Sequence, residues 1–186
     1  DSLTGLSNRL SFTKALGEGF AASRSPGSMA VMMLDLDLFK HVNDTFGHET
    51  GDHLLTTVGR RLRSAVGTTG TVARSGGDEF VLLLSPSAPS VGDLLASVFS
   101  DPFTLETPLA RHPHTVQVSA GWTAVSATSA LAASLADADI ALYSVKGNGK
   151  GGAARFHPRL REDVLGRLSI AEGSRKPYSA SVIFRR

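Results

Sequence analysis

The chain has 186 residues, 41% hydrophobic and 19% charged, which suits one soluble domain with a normal core and a short tail. It has no cysteine, which excludes disulfides and thiolate metal sites and is compatible with a reducing, cytoplasmic setting. The net charge of +2 hides a split: residues 155–186 hold eight basic and three acidic side chains, residues 1–154 eleven and fourteen, so the body lacks the basic face that nucleic-acid binding requires.

Taken in chain order, Leu6, Leu10, Leu16 and Phe20 recur at helical spacing and predict an amphipathic helix over about 8–22, broken by Ser-Pro-Gly at 25–27. MAVMMLDLDLF (29–39) starts as a solid apolar run, the mark of a strand buried on both faces, and turns acidic at Asp35 and Asp37. Its apolar part is too short to span a bilayer. Leu54, Val58, Leu62 and Val66 step by four and predict a second helix, ended by GTTG (67–70). TVAR (71–74) and FVLLL (80–84) flank SGGDE and read as a β-hairpin with Gly76 and Gly77 in its turn. Val91, Leu94, Leu95, Val98 and Phe99 suggest another helix. TVQVSAGWTAV (115–125) alternates as one strand. Leu131–Val145 is an alanine-rich helix, GNGKGG (147–152) a glycine loop, and ARFH a last edge strand. A short helix and a polar stretch follow Pro158. Helices alternating with strands around one hairpin predict an α/β or α+β sheet covered by helices.

The chemistry concentrates at two places. Side chains at i and i+2 of a strand share a face, so Asp35 and Asp37 read as two carboxylates at one sheet edge, a place for a hard cation shared with phosphate or an acidic strand end in water. The hairpin adds Asp78 and Glu79 directly after two glycines, which permit unusual dihedrals and close approach of another molecule. Lys40, Lys146 and Lys150 can each offer an ammonium to phosphate, and each alone is also what a solvated surface lysine looks like. GNGKGG fails as a P-loop, because Ser144 stands where glycine is needed and Gly151 where a serine or threonine would bind metal. Asn43 and Asp52 can pair with a guanine edge, or serve as a turn residue and a first-turn acid.

The motifs DSLTGLSNR (1–9), DLDLFKHVNDTFGHETGD (35–52), RSGGDEF (74–80), VSAGW (118–122) and ADIALYSVKGNGK (138–150) stand in register from Asp1 to about Phe156. Together they resemble the GGDEF domain family of diguanylate cyclases. The resemblance implies a mostly antiparallel, nucleotide-cyclase and polymerase-palm-like sheet covered by helices, with the GGDEF hairpin at the active edge. It implies that two GTP are condensed to cyclic di-GMP and two pyrophosphates, with Mg²⁺ or Mn²⁺, across a homodimer of face-to-face subunits. By resemblance, Asp35, Leu36 (through its carbonyl) and Asp78 hold metal, and Glu79 is an additional metal ligand or helps to deprotonate the 3′-hydroxyl. Asp78, Glu79 and Lys40 serve the chemistry. Asn43 and Asp52 read guanine, Lys40, Lys146 and Lys150 hold phosphates, and Phe39, Gly76 and Gly77 line the nucleotide.

Two departures stand out. The family usually has Arg-Asn where this chain has Lys150-Gly151, which keeps the charge and loses the bidentate fork. Its product-inhibition pattern, RxxD, falls here on Gly67-Thr68-Thr69-Gly70. Residues 1–157 are expected to form the domain and 158–186 a basic connector resembling the one that precedes EAL phosphodiesterase domains. Since the chain opens inside a motif, an upstream sensor and dimerisation segment is expected. The alternative reading is a weak GTP- or cyclic-di-GMP-binding regulatory module of a GGDEF–EAL protein.

Overall fold

The computed structural model describes residues 1–22, 29–85, 90–105, 113–125 and 131–172. A five-stranded sheet has the order β2-β3-β1-β6-β7, formed by Gly70–Gly76, Glu79–Leu84, Met29–Leu36, Val118–Val125 and Gly152–Arg155 respectively. Neighbours are antiparallel except β6 and β7, which run parallel. The expected mostly antiparallel sheet is therefore present. Helices α1 (Arg9–Ala22), α2 (Phe39–Phe46), α3 (His48–Val66), α4 (Val91–Phe99), α5 (Leu131–Gly147) and α6 (Pro158–Glu172) surround it.

The central strand β1 is buried along its whole length, as its unbroken apolar run predicts. Its side chains alternate between two cores. Ala30, Met32, Leu34 and Leu36 pack with Leu54, Val58 and Leu62 of α3. Val31 and Met33 pack with Phe12 of α1 and Leu135, Ala138 and Leu142 of α5. Asp35 continues the second series, so it faces the α5 side. That helix lies unusually close: a Cβ on Gly121 of β6 would sit 2.0 Å from Leu142 N and 2.3 Å from Ala138 O. The glycine of VSAGW and the alanines of α5 thus let a helix backbone rest directly on the strand.

Four expectations need correction. The apolar run ends as a strand at Leu36; Asp37 and Leu38 form a turn, with Leu38 in the left-handed region at φ 61°, and α2 begins at Phe39. The stretch 115–125 is two strands. Its first part, β5 (His114–Val116), pairs with β4 (Phe103–Leu105) in a separate two-stranded sheet. The break falls at Gln117, whose carbonyl accepts from Asp37 N at 2.9 Å. In the first helix Leu10 is exposed and Phe12 is the buried anchor, while Leu6 is buried just ahead of the helix. Finally, α6 runs for 15 residues, with Arg161 paired to Asp137 of α5 and Val164 buried. Residues 173–186, the polar stretch, lie outside the described residues.

Candidate active site

The β2–β3 hairpin closes over Gly77-Asp78, with Gly76 opposite Glu79 and a register shift between Arg74 and Gly76. Gly76 (φ 151°) and Gly77 (φ 53°) both adopt backbone that L residues avoid. A Cβ at either would meet nothing within 4 Å, so the requirement is conformational and leaves the outer side of the turn open. The turn is fixed at two points. Leu36 N donates to Asp78 O at 3.3 Å. Arg74 Nε donates to Gly77 O at 2.9 Å, while its guanidinium pairs with Asp1 at 3.2 Å.

Because β3 lies beside β1, Glu79 stands directly across from Asp35. Lys146, near the end of α5, places Nζ 2.7 Å from Asp35 Oδ2. Burial pushes the Asp35 carboxyl up to about 6; the Asp78 and Glu79 charges push the same way, and Lys146 opposes them. Sequence reasoning missed Asp139, seven residues before Lys146 and so on the same face of α5. Its carboxyl is also raised, by desolvation first and then by the Glu79 charge, against the pull of Lys146. The i, i+7 spacing of two charged residues in an alanine-rich helix was the available signal.

Asp37 does not join Asp35. Lying past the strand end, its carboxylate accepts from Ser119 Oγ at 2.8 and 3.0 Å and from Gly151 N at 3.1 Å. The two carboxylates expected to share an edge therefore have separate partners. Lys150 is exposed with φ 66°, and Lys40 is exposed on the first turn of α2.

On the other side of the β1 end, Asn43 of α2 packs against Gly51 of α3. A Cβ on Gly51 would lie 1.9 Å from Asn43 Oδ1 and 3.1 Å from Phe39 Cζ. Asn43 Oδ1 is buried with no hydrogen-bond partner, which is costly unless something donates to it. Asp52, beside Gly51, is exposed, and Phe39 is buried in the core below.

The donor set suits a hard divalent cation. It is all oxygen, and burial together with the Asp78 and Glu79 charges disfavours the Asp35 anion, which a bound cation would offset. Among the described residues no three Asp, Glu or His side chains already converge as a closed metal site. Mg²⁺ does not need one, since it is commonly held by one or two carboxylates together with substrate phosphates.

The site is thus an acidic strand end on a mainly antiparallel sheet, with a lysine of the neighbouring helix on Asp35. The chain belongs to the diguanylate cyclase, GGDEF domain family, whose profile matches residues 1–152. It is 35% identical over 151 residues to the diguanylate cyclase DgcS of Shewanella oneidensis, covering 81% of this chain and 50% of that protein. It is 33% identical over 178 residues to the bifunctional diguanylate cyclase/cyclic di-GMP phosphodiesterase MucR of Pseudomonas aeruginosa, covering 95% of this chain and 26% of MucR. The chain thus spans half or less of these relatives. The crystal structure of the GGDEF domain of DgcB from Caulobacter crescentus, in complex with c-di-GMP, superposes with a TM-score of 0.73 at 28% identity, over 83% of this chain and 91% of that one. No helix among the described residues is long and apolar enough to cross a membrane.

Proposed function

We propose that this domain condenses two GTP into cyclic di-GMP and two pyrophosphates. The observation that carries the reading is the pairing of Asp35 with Glu79 across β1 and β3, beside an open glycine turn and a lysine. In this reading Asp35, Asp78, Glu79 and the Leu36 carbonyl hold Mg²⁺. When bound, the ion neutralises charge on the departing pyrophosphate and lowers the pKa of a coordinated hydroxyl. Lys146 then leaves Asp35 for the triphosphate, which Lys40 and Lys150 also hold. Gly76 and Gly77 present no side chain, so the nucleotide lies against the turn. The orphan Asn43 Oδ1 accepts from the N–H edge of guanine, and the Asp52 carboxylate accepts from the same edge.

Each 3′-hydroxyl attacks the α-phosphorus of the GTP on a second copy of the domain. A new O–P bond forms there, the bond to pyrophosphate breaks, and Glu79 helps to take the hydroxyl proton. One subunit cannot present both nucleotides, so alignment comes from dimerisation, an effect worth up to about 7–11 kcal/mol of barrier.

Pyrophosphate release from GTP and Mg²⁺, followed across protein concentration, tests the proposal. A specific rate that rises with protein concentration, with cyclic di-GMP as product, supports it. GTP binding without turnover, even at concentrations that dimerise the chain, would leave the regulatory-module reading in its place.

A further inference from the structure

We propose that Asp37 is a positioning residue, holding the 149–151 loop in the one conformation that presents Lys150 to the triphosphate. The inference rests on the phosphate role given to Lys150 above.

Asp37 is a carboxylate with 6% of its surface exposed. A buried carboxylate is costly unless hydrogen-bonded, and this one accepts from a hydroxyl and a backbone amide. Its backbone N donates to Gln117 O at 2.9 Å, which fixes it at the junction of β5 and β6. Its side chain accepts from Ser119 Oγ of β6. It also accepts from Gly151 N, an amide that lies 3.2 Å from Ser119 Oγ. Asp37, Ser119 82 residues further on and Gly151 114 residues further on are thereby tied at one carboxylate.

The loop needs such a tie. Lys150 is a non-glycine residue at φ 66°, Gly149 lies at 113°, and Gly151 at 63°. A left-handed lysine is strained by about 1 kcal/mol or more and persists only where its surroundings determine it. On one side Lys150 N donates to Val145 O at 3.1 Å; on the other Gly151 N is held by Asp37. A Cβ on Gly151 would come 3.0 Å from Cδ of the exposed Gln117 side chain, so it is the positive φ of Gly151 more than crowding that favours glycine there. With its backbone clamped on both sides, the exposed Lys150 side chain leaves the loop from a fixed point near the strand end that carries Asp35.

Asp37→Asn, Lys150→Ala and the double variant decide the matter in the full 186-residue chain. The asparagine keeps the shape of Asp37 and replaces one accepting oxygen with a donor. Without nucleotide, Asp37→Asn should speed hydrogen exchange at the Gly151 amide by about tenfold or more while leaving Gly77 unchanged. With Mg²⁺ and the slowly reacting α-thio analogue of GTP, each single variant should weaken binding by about tenfold. The double variant should bind no more weakly than Lys150→Ala alone, because the two changes remove one interaction. Ser119→Ala, which leaves the Asp37–Gly151 bond in place, should speed Gly151 exchange by only about threefold; Asp37→Ser, which shortens the side chain away from Gly151, supplies the same readouts if Asp37→Asn does not fold. Unchanged Gly151 exchange, or a double variant whose loss is the product of the single losses, overturns the proposal. A Lys150→Ala protein that binds like the parent overturns the role of Lys150 itself, and the nucleotide-free exchange tells that failure from a failure of the Asp37 argument.

Discussion

Lys146 Nζ stands 2.7 Å from Asp35 Oδ2, so the ammonium of α5 rests on the carboxylate that Asp78 and Glu79 repel. Both influences that lower the Asp35 pKa come from this one lysine. Lys146→Met should therefore raise the Asp35 carboxyl above its value of about 6 in metal-free protein. Carbon-detected NMR titration of the aspartates reads this directly, and an unmoved Asp35 would mean that the pair does not form in solution.

Stability should carry the same signature. The Asp35 carboxyl titrates at about 6 when folded against an ordinary value of 3.8, so the folded state binds the proton more tightly. Its contribution to stability is greatest below pH 4, falls as pH rises to about 6, and is level above. The change is bounded at about 3 kcal/mol by the size of the shift. Urea unfolding in chelator at pH 4 to 7, compared between the parent and Asp35→Asn, isolates it. The parent should lose stability relative to the variant across that window; a constant difference would contradict the assignment.

Asp35→Ala or Asp78→Ala should reduce cyclic di-GMP synthesis by about 10²–10³ or more, the scale of losing preorganised charge stabilisation at the reacting phosphate. Neither should unfold the domain, since each removes a carboxylate from a repelling cluster. Product chromatography with a thermal melt on the same sample checks both halves, and near-parental synthesis by either variant would remove that residue from the chemistry.

Base selection should depend on the glycine beside it. Gly51→Ala places a Cβ where Asn43 Oδ1 now sits, so Asn43 must swing away. GTP binding should weaken while the site stays unable to use ATP. Asp52→Ala, which keeps Asn43 in place, should narrow a discrimination against ATP that is on the order of 10⁴ in the parent. Competition binding with GTP and ATP measures both, and full GTP affinity in Asp52→Ala would refute the role.

Product control at the 67–70 turn should be absent and hard to restore. Gly67 ends α3 at φ 65°, and a Cβ on Gly70 would lie 2.5 Å from Val66 Cγ1 and 2.7 Å from Leu83 O. An aspartate at 70 cannot enter without moving β2. The arginine that lines the neighbouring cavity of about 480 Å³ beside Gly67 and Thr68, Arg63, already donates to Gly5 O, and Arg61 of the same helix is held by Asp101. Calorimetry with cyclic di-GMP should show no tight binding that survives blocking of the active site with a GTP analogue. Gly67→Arg with Gly70→Asp should lower the melting temperature without creating such binding.

Much of this was legible from residue order alone. The solid run of β1, the helical steps of α3 and the glycine turn each announce their element, because burial on two faces, on one stripe, or in a positive-φ turn needs those residue types. The pairing of Asp35 with Glu79 follows once β3 is placed beside β1. What escaped depends on contacts distant in sequence. That Asp37 turns away to Ser119 and Gly151 is decided where β1 ends, and nothing local to DLDLF marks the end at Leu36 rather than Phe39. That Lys146 rests on Asp35 is decided by how closely α5 lies on Gly121, a consequence of missing side chains rather than of present ones. The division of 114–125 into two strands hangs on the single carbonyl of Gln117.

The GGDEF turn is a two-residue device that a short peptide could attempt by itself, yet one of its fastenings reaches across 73 residues, from Arg74 to Asp1. Contacts of such separation are slow to form, because a long loop must close before they contribute. During folding the hairpin can therefore zip early through its local ladder, while the Arg74 side chain that grips Gly77 remains without its acidic partner until the first residues dock along β2. The stiffness of this turn in the folded domain is thus tied, through Arg74, to an acid 73 residues away in sequence.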